Sequence, residues 1–139
     1  MPKEEARVQA LGALYATDVL SREAVDTSTM SARAAALAEG TWQNRAEIDA
    51  LIESVSTSWR VDRMPAVDRN IVRLATFEIL FNGLSKAIAI DQAVELAKTH
   101  STARSGAFVN GVLSAIADRG RVVSDPPEMT PEPEGSDGV

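Results

Sequence analysis

The chain has 139 residues, 45% hydrophobic and only 4% aromatic, with no cysteine, one histidine and a formal net charge of −6. That length suits one domain able to bury a core unaided. The missing cysteines exclude disulfide staples, thiolate metal sites and a Cys/His nucleophilic pair.

The start, MPKEEARVQALGALYATDVL, lacks a signal peptide's charged head and continuous apolar run, and no window nears the roughly 18 consecutive apolar residues of a membrane span. A soluble, cytoplasmic protein is expected. Between Lys3 and Asp118 almost every segment reads as a helix. In the first, Val8, Leu11, Tyr15 and Val19 form a stripe. Gly12 within it costs about 1 kcal/mol relative to alanine, which predicts a close helix contact at that point. A short Ala-rich helix over about 31–39 is expected to end at Gly40 as its C-cap. The third is the clearest, with Ile48, Leu51, Ile52, Val55 and Trp59 at core-facing spacing.

Pro65 has no N–H to lose at the first turn of a helix, so a fourth helix starts there and runs to about Phe81, ending near Asn82-Gly83. Val67, Ile71, Leu74, Glu78 and Phe81 share one of its faces, and a carboxylate on an apolar stripe requires a partner. The run IAIDQAVELAKTH predicts a fifth helix with Asp91 as N-cap and with Lys98 and His100 near its C-terminal end, where they complement the dipole. A final helix begins near Thr102.

Within that last helix, AFVNGVLSAI carries a conflict. Asn110-Gly111 is a hairpin signal, yet Phe108, Val109, Val112, Leu113 and Ile116 repeat at the helical period. No alternating strand flanks the pair, so the helix prevails and Asn110 and Gly111 fall off its apolar stripe. The expected class is all-α, with about six to seven helices.

Residues 124–139 hold four prolines, five acids and no basic residue, so most of the net charge lies there; 1–123 carry 14 basic against 15 acidic residues. Such a composition cannot offset its ordering entropy. The expected organisation is a helical domain over 1–121 and a disordered acidic, proline-rich tail over 122–139.

The search for catalytic chemistry returns negatives. No phosphate-cradling glycine motif and no metal-ligand spacing occurs, and His100 at a helix end reads as a cap. Paired carboxylates such as Glu47 and Asp49 read as solvated. What remains is arginine: Arg60, Arg63, Arg69 and Arg73, accompanied by Trp59, fall around the break before the fourth helix. Guanidinium forks bind phosphates and aromatic faces stack on unpaired bases, so RNA binding competes with a plain solvated charge run. A binding protein with no catalytic residue, cofactor or metal is expected.

ALGALYATD, WRVDRMPAVDRNIVRLATFEIL, AIAIDQAVELAK and FVNGVL, in this order across about residues 6–118, resemble the sequence blocks of the NusB transcription antitermination family. The resemblance implies two small helical bundles sharing a core. It implies pairing with NusE, a small-subunit ribosomal protein, joint binding of box A RNA in nascent ribosomal RNA transcripts, and help for RNA polymerase in reading through terminators. It places Tyr15 and Asp68 on the NusE-facing surface and makes Glu78 structural. For RNA it points to Lys3 and Arg7 of the N-terminal arm, Trp59, Arg69 and Phe108, the last with core packing as the competing role. Two departures stand out: the arm is diluted by Glu4 and Glu5, and Arg104 stands before Ser105 where relatives often carry an acid, altering the NusE contact or adding a phosphate contact. The loop SREAVDTST is shorter than in some relatives, which removes a short helix. Two alternatives remain: an RNA-positioning module of a ribosomal RNA cytosine methyltransferase, and a homodimer of purely structural role.

Overall fold

The computed structural model describes residues 3–56 and 60–120. They form six α-helices and one 3-10 turn: α1 (Lys3–Val19), α2 (Ala32–Gln43), α3 (Arg45–Val55), the turn Val61–Arg63, α4 (Ala66–Phe81), α5 (Lys86–His100) and α6 (Ala103–Gly120). No strand occurs among the described residues, as the helical periodicities predict. The tail expected over 122–139 lies outside the described residues, as does Trp59.

α4 organises the rest. α1 and α2 pack as a pair on it, α5 and α6 form a second pair on it, and α3 packs against α6 and α4. This gives two small groups of helices sharing one core. Asp68 and every residue from Asn70 to Glu78 are buried, so α4 has almost no solvent face. Ile71, Val72 and Leu74 meet Leu14 of α1, Ile48 and Ile52 of α3, and Val109, Leu113 and Ile116 of α6 in a continuous apolar cluster.

The helix limits have local causes. Ser31 caps α2, its hydroxyl accepting the Ala34 N–H at 3.1 Å while its own N–H donates to Gln9 of α1. Pro65 precedes α4, and its carbonyl accepts the Arg69 N–H. Thr102 Oγ1 accepts the Ser105 N–H at 3.0 Å, opening α6 where expected. α1 and α4 each end with a residue in the left-handed region, Ser21 (φ 55°) and Gly83 (φ 67°); Arg22 N–H then returns to Thr17 C=O, five residues back, and Leu84 N–H to Glu78 C=O, six back.

Five local expectations are corrected. The buried side of α1 consists of Ala6, Arg7, Ala10, Leu11, Leu14 and Thr17, whereas Val8, Tyr15 and Val19 face outward. Two leucines, two alanines, a threonine and one paired arginine take the core side, so Leu11 alone of the expected stripe is buried. Gly12 makes no close contact, since a Cβ there would meet nothing within 4 Å. Gly40 is not a cap: α2 continues to Gln43 and the glycine lies against the Phe77 ring. α5 begins at Lys86 after Ser85, with Asp91 inside the helix, because KAIAI already sustains helical structure. Phe81 is exposed at the end of α4, stacked on Phe77 at 5.6 Å.

Candidate nucleic-acid and partner interface

The four clustered arginines separate into two inside and two outside. Arg69 donates from Nε to Asp18 Oδ2 at 2.8 Å and from Nη1 to the carbonyls of Val61 and Met64 at 3.2 and 3.1 Å. Arg73 grips Asp49 through Nε and Nη2, both at 2.8 Å, and reaches Asp18 Oδ2 at 3.2 Å. Asn70 Nδ2 adds a third α4 donor to that oxygen at 2.9 Å. Burial is the largest influence on the Asp18 carboxyl and raises its pKa. The hydrogen bonds from Arg69 and Asn70 and the charges of Arg69 and Arg73 together outweigh it, holding the group below the ordinary carboxylate value.

This network ties α1, α3, α4 and the 3-10 turn together, and it corrects two expectations. Asp49 is paired and not freely solvated. Arg69, expected to face RNA, is turned inward, with Nε and Nη1 committed to acceptors of the fold. The cleft beside it, about 390 Å³, is lined by Asp18, Asp49, Glu53 and Asp62 as well as by Arg60, Arg69 and Arg73. Its acids oppose a phosphate. Arg60 and Arg63 stay exposed, Arg60 in a solvated pair with Asp62 at 3.2 Å.

Arg7 is likewise corrected. It is 5% exposed and forks onto Glu78, Nε to Oε1 at 3.0 Å and Nη2 to Oε2 at 3.0 Å. The carboxylate on the α4 apolar stripe thus has the partner that its burial demands, and Glu78 is structural. Lys3 opens α1, but its side chain lies outside the described residues.

Asp68, expected on a partner-facing surface, is 4% exposed. Its Oδ2 accepts the Ser105 hydroxyl at 2.9 Å, and its Oδ1 has no partner among the described residues. It lies in the first turn of α4 and touches the first turn of α6, so two positive helix ends stabilise it where a cation would otherwise be required. Asp68 is therefore a strut that fixes the start of α6. Arg104, beside that strut, is exposed. Lys98 and His100 are exposed nearby in sequence, and the Lys98 side chain packs over Gly106. No acid occurs from Leu96 to Ala117. Phe108, one turn into α6, is half-buried and packs on the core cluster.

The outward side of α1 is the clearest uncovered surface. Val8, Tyr15 and Val19 are 42%, 41% and 49% exposed, and Leu20 follows at 58%. With Gly12 between Val8 and Tyr15 they form one stripe along the helix. The glycine leaves a dent in that stripe where another chain's backbone can approach.

Sequence reasoning passed over Trp42. Its indole N–H donates to the Glu23 carbonyl at 2.9 Å, and the Arg45 guanidinium lies 3.9 Å from its ring centroid. It pins the loop between α1 and α2; a tryptophan three residues before an arginine was the available signal.

The comparisons with known proteins agree with this architecture. The NusB family model matches residues 4–118. A transcription antitermination protein NusB of Anaeromyxobacter dehalogenans (strain 2CP-1 / ATCC BAA-258) is 44% identical over 128 residues, covering 83% of this chain and 89% of that protein. T. maritima NusB has the same fold at TM-score 0.75 and 32% identity, with 84% of this chain and 91% of that one covered. A crystal structure of antitermination factors NusB and NusE in complex with dsRNA matches at TM-score 0.71 and 27% identity, covering 83% and 95%. With all six helices inside or overlapping the matched span, the chain belongs to the NusB family.

Proposed function

We propose that this protein is a transcription antitermination factor that acts by binding alone: it pairs with NusE, and the pair holds box A RNA of nascent ribosomal RNA transcripts so that RNA polymerase reads through terminators. The observation that carries the reading is the uncovered apolar stripe of α1 centred on Tyr15, in a chain whose family includes a NusB solved with NusE and dsRNA. Tyr15 is the anchor for NusE, because an exposed aromatic among apolar neighbours gains most from burial. Arg104, exposed at the start of α6, supplies charge to that partner.

For RNA, the reading draws on the acid-free start of α6, where Arg104 and Lys98 attract phosphate and Phe108 offers a ring edge to a base. With Arg7 and Arg69 committed inside the fold, this chain alone offers few phosphate contacts, and its affinity depends on the partner. The curated relative cited above is an antitermination protein matched over most of its length, which favours this reading over a methyltransferase module.

The test is fluorescence anisotropy of a labelled box A RNA titrated with this protein, with NusE, and with both, at two salt concentrations. The expected result is much tighter binding by the mixture than by either component, weakening as salt rises. A mixture that gains nothing overturns the proposal; a homodimer in light scattering would then identify a second copy of this chain as the cover of the α1 stripe.

A further inference from the structure

The chain contains two Asn-Gly pairs, Asn82-Gly83 and Asn110-Gly111, and both asparagines are exposed. In each, the missing glycine side chain leaves the following amide nitrogen open to attack the asparagine side-chain carbonyl. Water reaches both sites, so solvent access does not distinguish them. Backbone freedom does.

Asn110 lies in the middle of α6, with Val109 and Leu113 buried beside it. There the Gly111 N–H belongs to the helical ladder, and bringing that nitrogen to Asn110 Cγ requires several ladder bonds to break together. Asn82 is the C-cap of α4, at φ −109° and ψ −2°, and Gly83 follows at φ 67°. The bond that closes this turn comes from Leu84 N–H to Glu78 C=O, one residue further on. Rotation about the Asn82 ψ bond therefore breaks one terminal bond and leaves the core untouched. Helix ends open at far lower free energy than helix interiors.

We propose that Asn82 is a site of spontaneous deamidation, with water as the only co-reactant. The Gly83 amide nitrogen attacks Asn82 Cγ and loses its proton, the Cγ–Nδ2 bond breaks, and ammonia leaves with that proton, giving a succinimide. Water then opens the ring. Cleavage at Cγ restores the main chain and yields aspartate; cleavage at the main-chain carbonyl yields isoaspartate, with the chain running through the side-chain carbon.

Both products place a new carboxylate at the negative end of α4. Asn82 also lines a cleft of about 250 Å³ with Arg7, Arg33, Leu37, Glu78 and Leu84. The new charge enters the surroundings of the Arg7–Glu78 pair, adding a second anion beside Glu78 and a competitor for its cation.

The experiment incubates the folded full-length protein at mildly alkaline pH and follows the peptides carrying residues 82 and 110 by mass spectrometry, with an isoaspartate-specific methylation assay alongside. A urea-unfolded sample serves as the sequence-only reference. Conversion at Asn82 on the order of tenfold or more faster than at Asn110 in the folded protein, with the gap closing in urea, is expected. Asn82→Gln removes the fast phase, because its longer side chain disfavours the ring. Equal folded rates, a faster Asn110, or a folded Asn82 as inert as Asn110 overturns the proposal, and the wild-type comparison decides this even if the variant folds poorly.

Discussion

Replacing Arg7 with alanine separates a structural arginine from an RNA-binding one. In the folded protein its guanidinium makes a two-pronged contact with Glu78 at 3.0 Å, and both side chains are almost fully buried, at 6% and 7% exposed. Removing one member leaves the other charge buried without compensation, which costs about 3–5 kcal/mol. For a chain of this size that corresponds to a fall in Tm of roughly 10–20 °C. Glu78→Ala should lose a similar amount. The double replacement Arg7→Met with Glu78→Leu removes both charges while keeping volume, and should recover most of the loss, since a buried pair and an apolar pair of similar shape differ little. Thermal and urea unfolding followed by circular dichroism give these values, and box A anisotropy on the same samples gives affinity. An Arg7→Ala protein that keeps the wild-type Tm but loses RNA affinity would refute the reasoning and return Arg7 to the RNA-facing arm.

Ser21 and Gly83 occupy the same left-handed position after α1 and α4; Ser21→Gly should stabilise and Gly83→Ser destabilise, each by about 1 kcal/mol, read from urea midpoints. Gly40→Ala would drive a methyl into the Phe77 ring and should cost about 1–3 kcal/mol, with Phe77→Leu in the same chain restoring part of the loss. Asp18 has a lowered carboxyl pKa in the folded state, so its contribution is present above the ordinary carboxylate value of 3.8 and is lost as pH falls through the lower folded value. Asp18→Asn should therefore be less stable than wild type near neutrality, and the gap in urea midpoint should narrow as pH drops from about 5 toward 3. A gap that widens in acid would show that the network does not stabilise the ionised form.

The helices themselves were legible in the sequence because their signals are local. The apolar spacing of Ile48, Leu51 and Ile52, the proline before α4, and Glu78 on an apolar stripe each fixed an element or a requirement that the fold meets. The two glycines exchanged roles because composition around a glycine does not say what lies opposite it. Gly12 is open, and Gly40 is the close contact because Phe77 arrives there from α4. The pairing of Arg69 and Arg73 was hidden for a similar reason. Asp18 lies 51 residues from Arg69 along the chain and Asp49 lies 24 from Arg73, so the acids that hold these two arginines lie outside the segment that carries the cluster. On the candidate interface, Tyr15 is exposed, and the spacing of Val8, Leu11, Tyr15 and Val19 joined residues of two faces, because Leu11 is buried while the other three face outward.

Because α4 is buried from Asn70 to Glu78 and every other helix rests on it, neither the α1–α2 pair nor the α5–α6 pair possesses a dry interior of its own. Detaching either pair wets one flank of α4, and the other pair then faces a half-hydrated support. The two helical groups are accordingly subunits of geometry and not of stability: they melt in one transition, and the central amides of α4 meet exchanging solvent only when the whole domain opens.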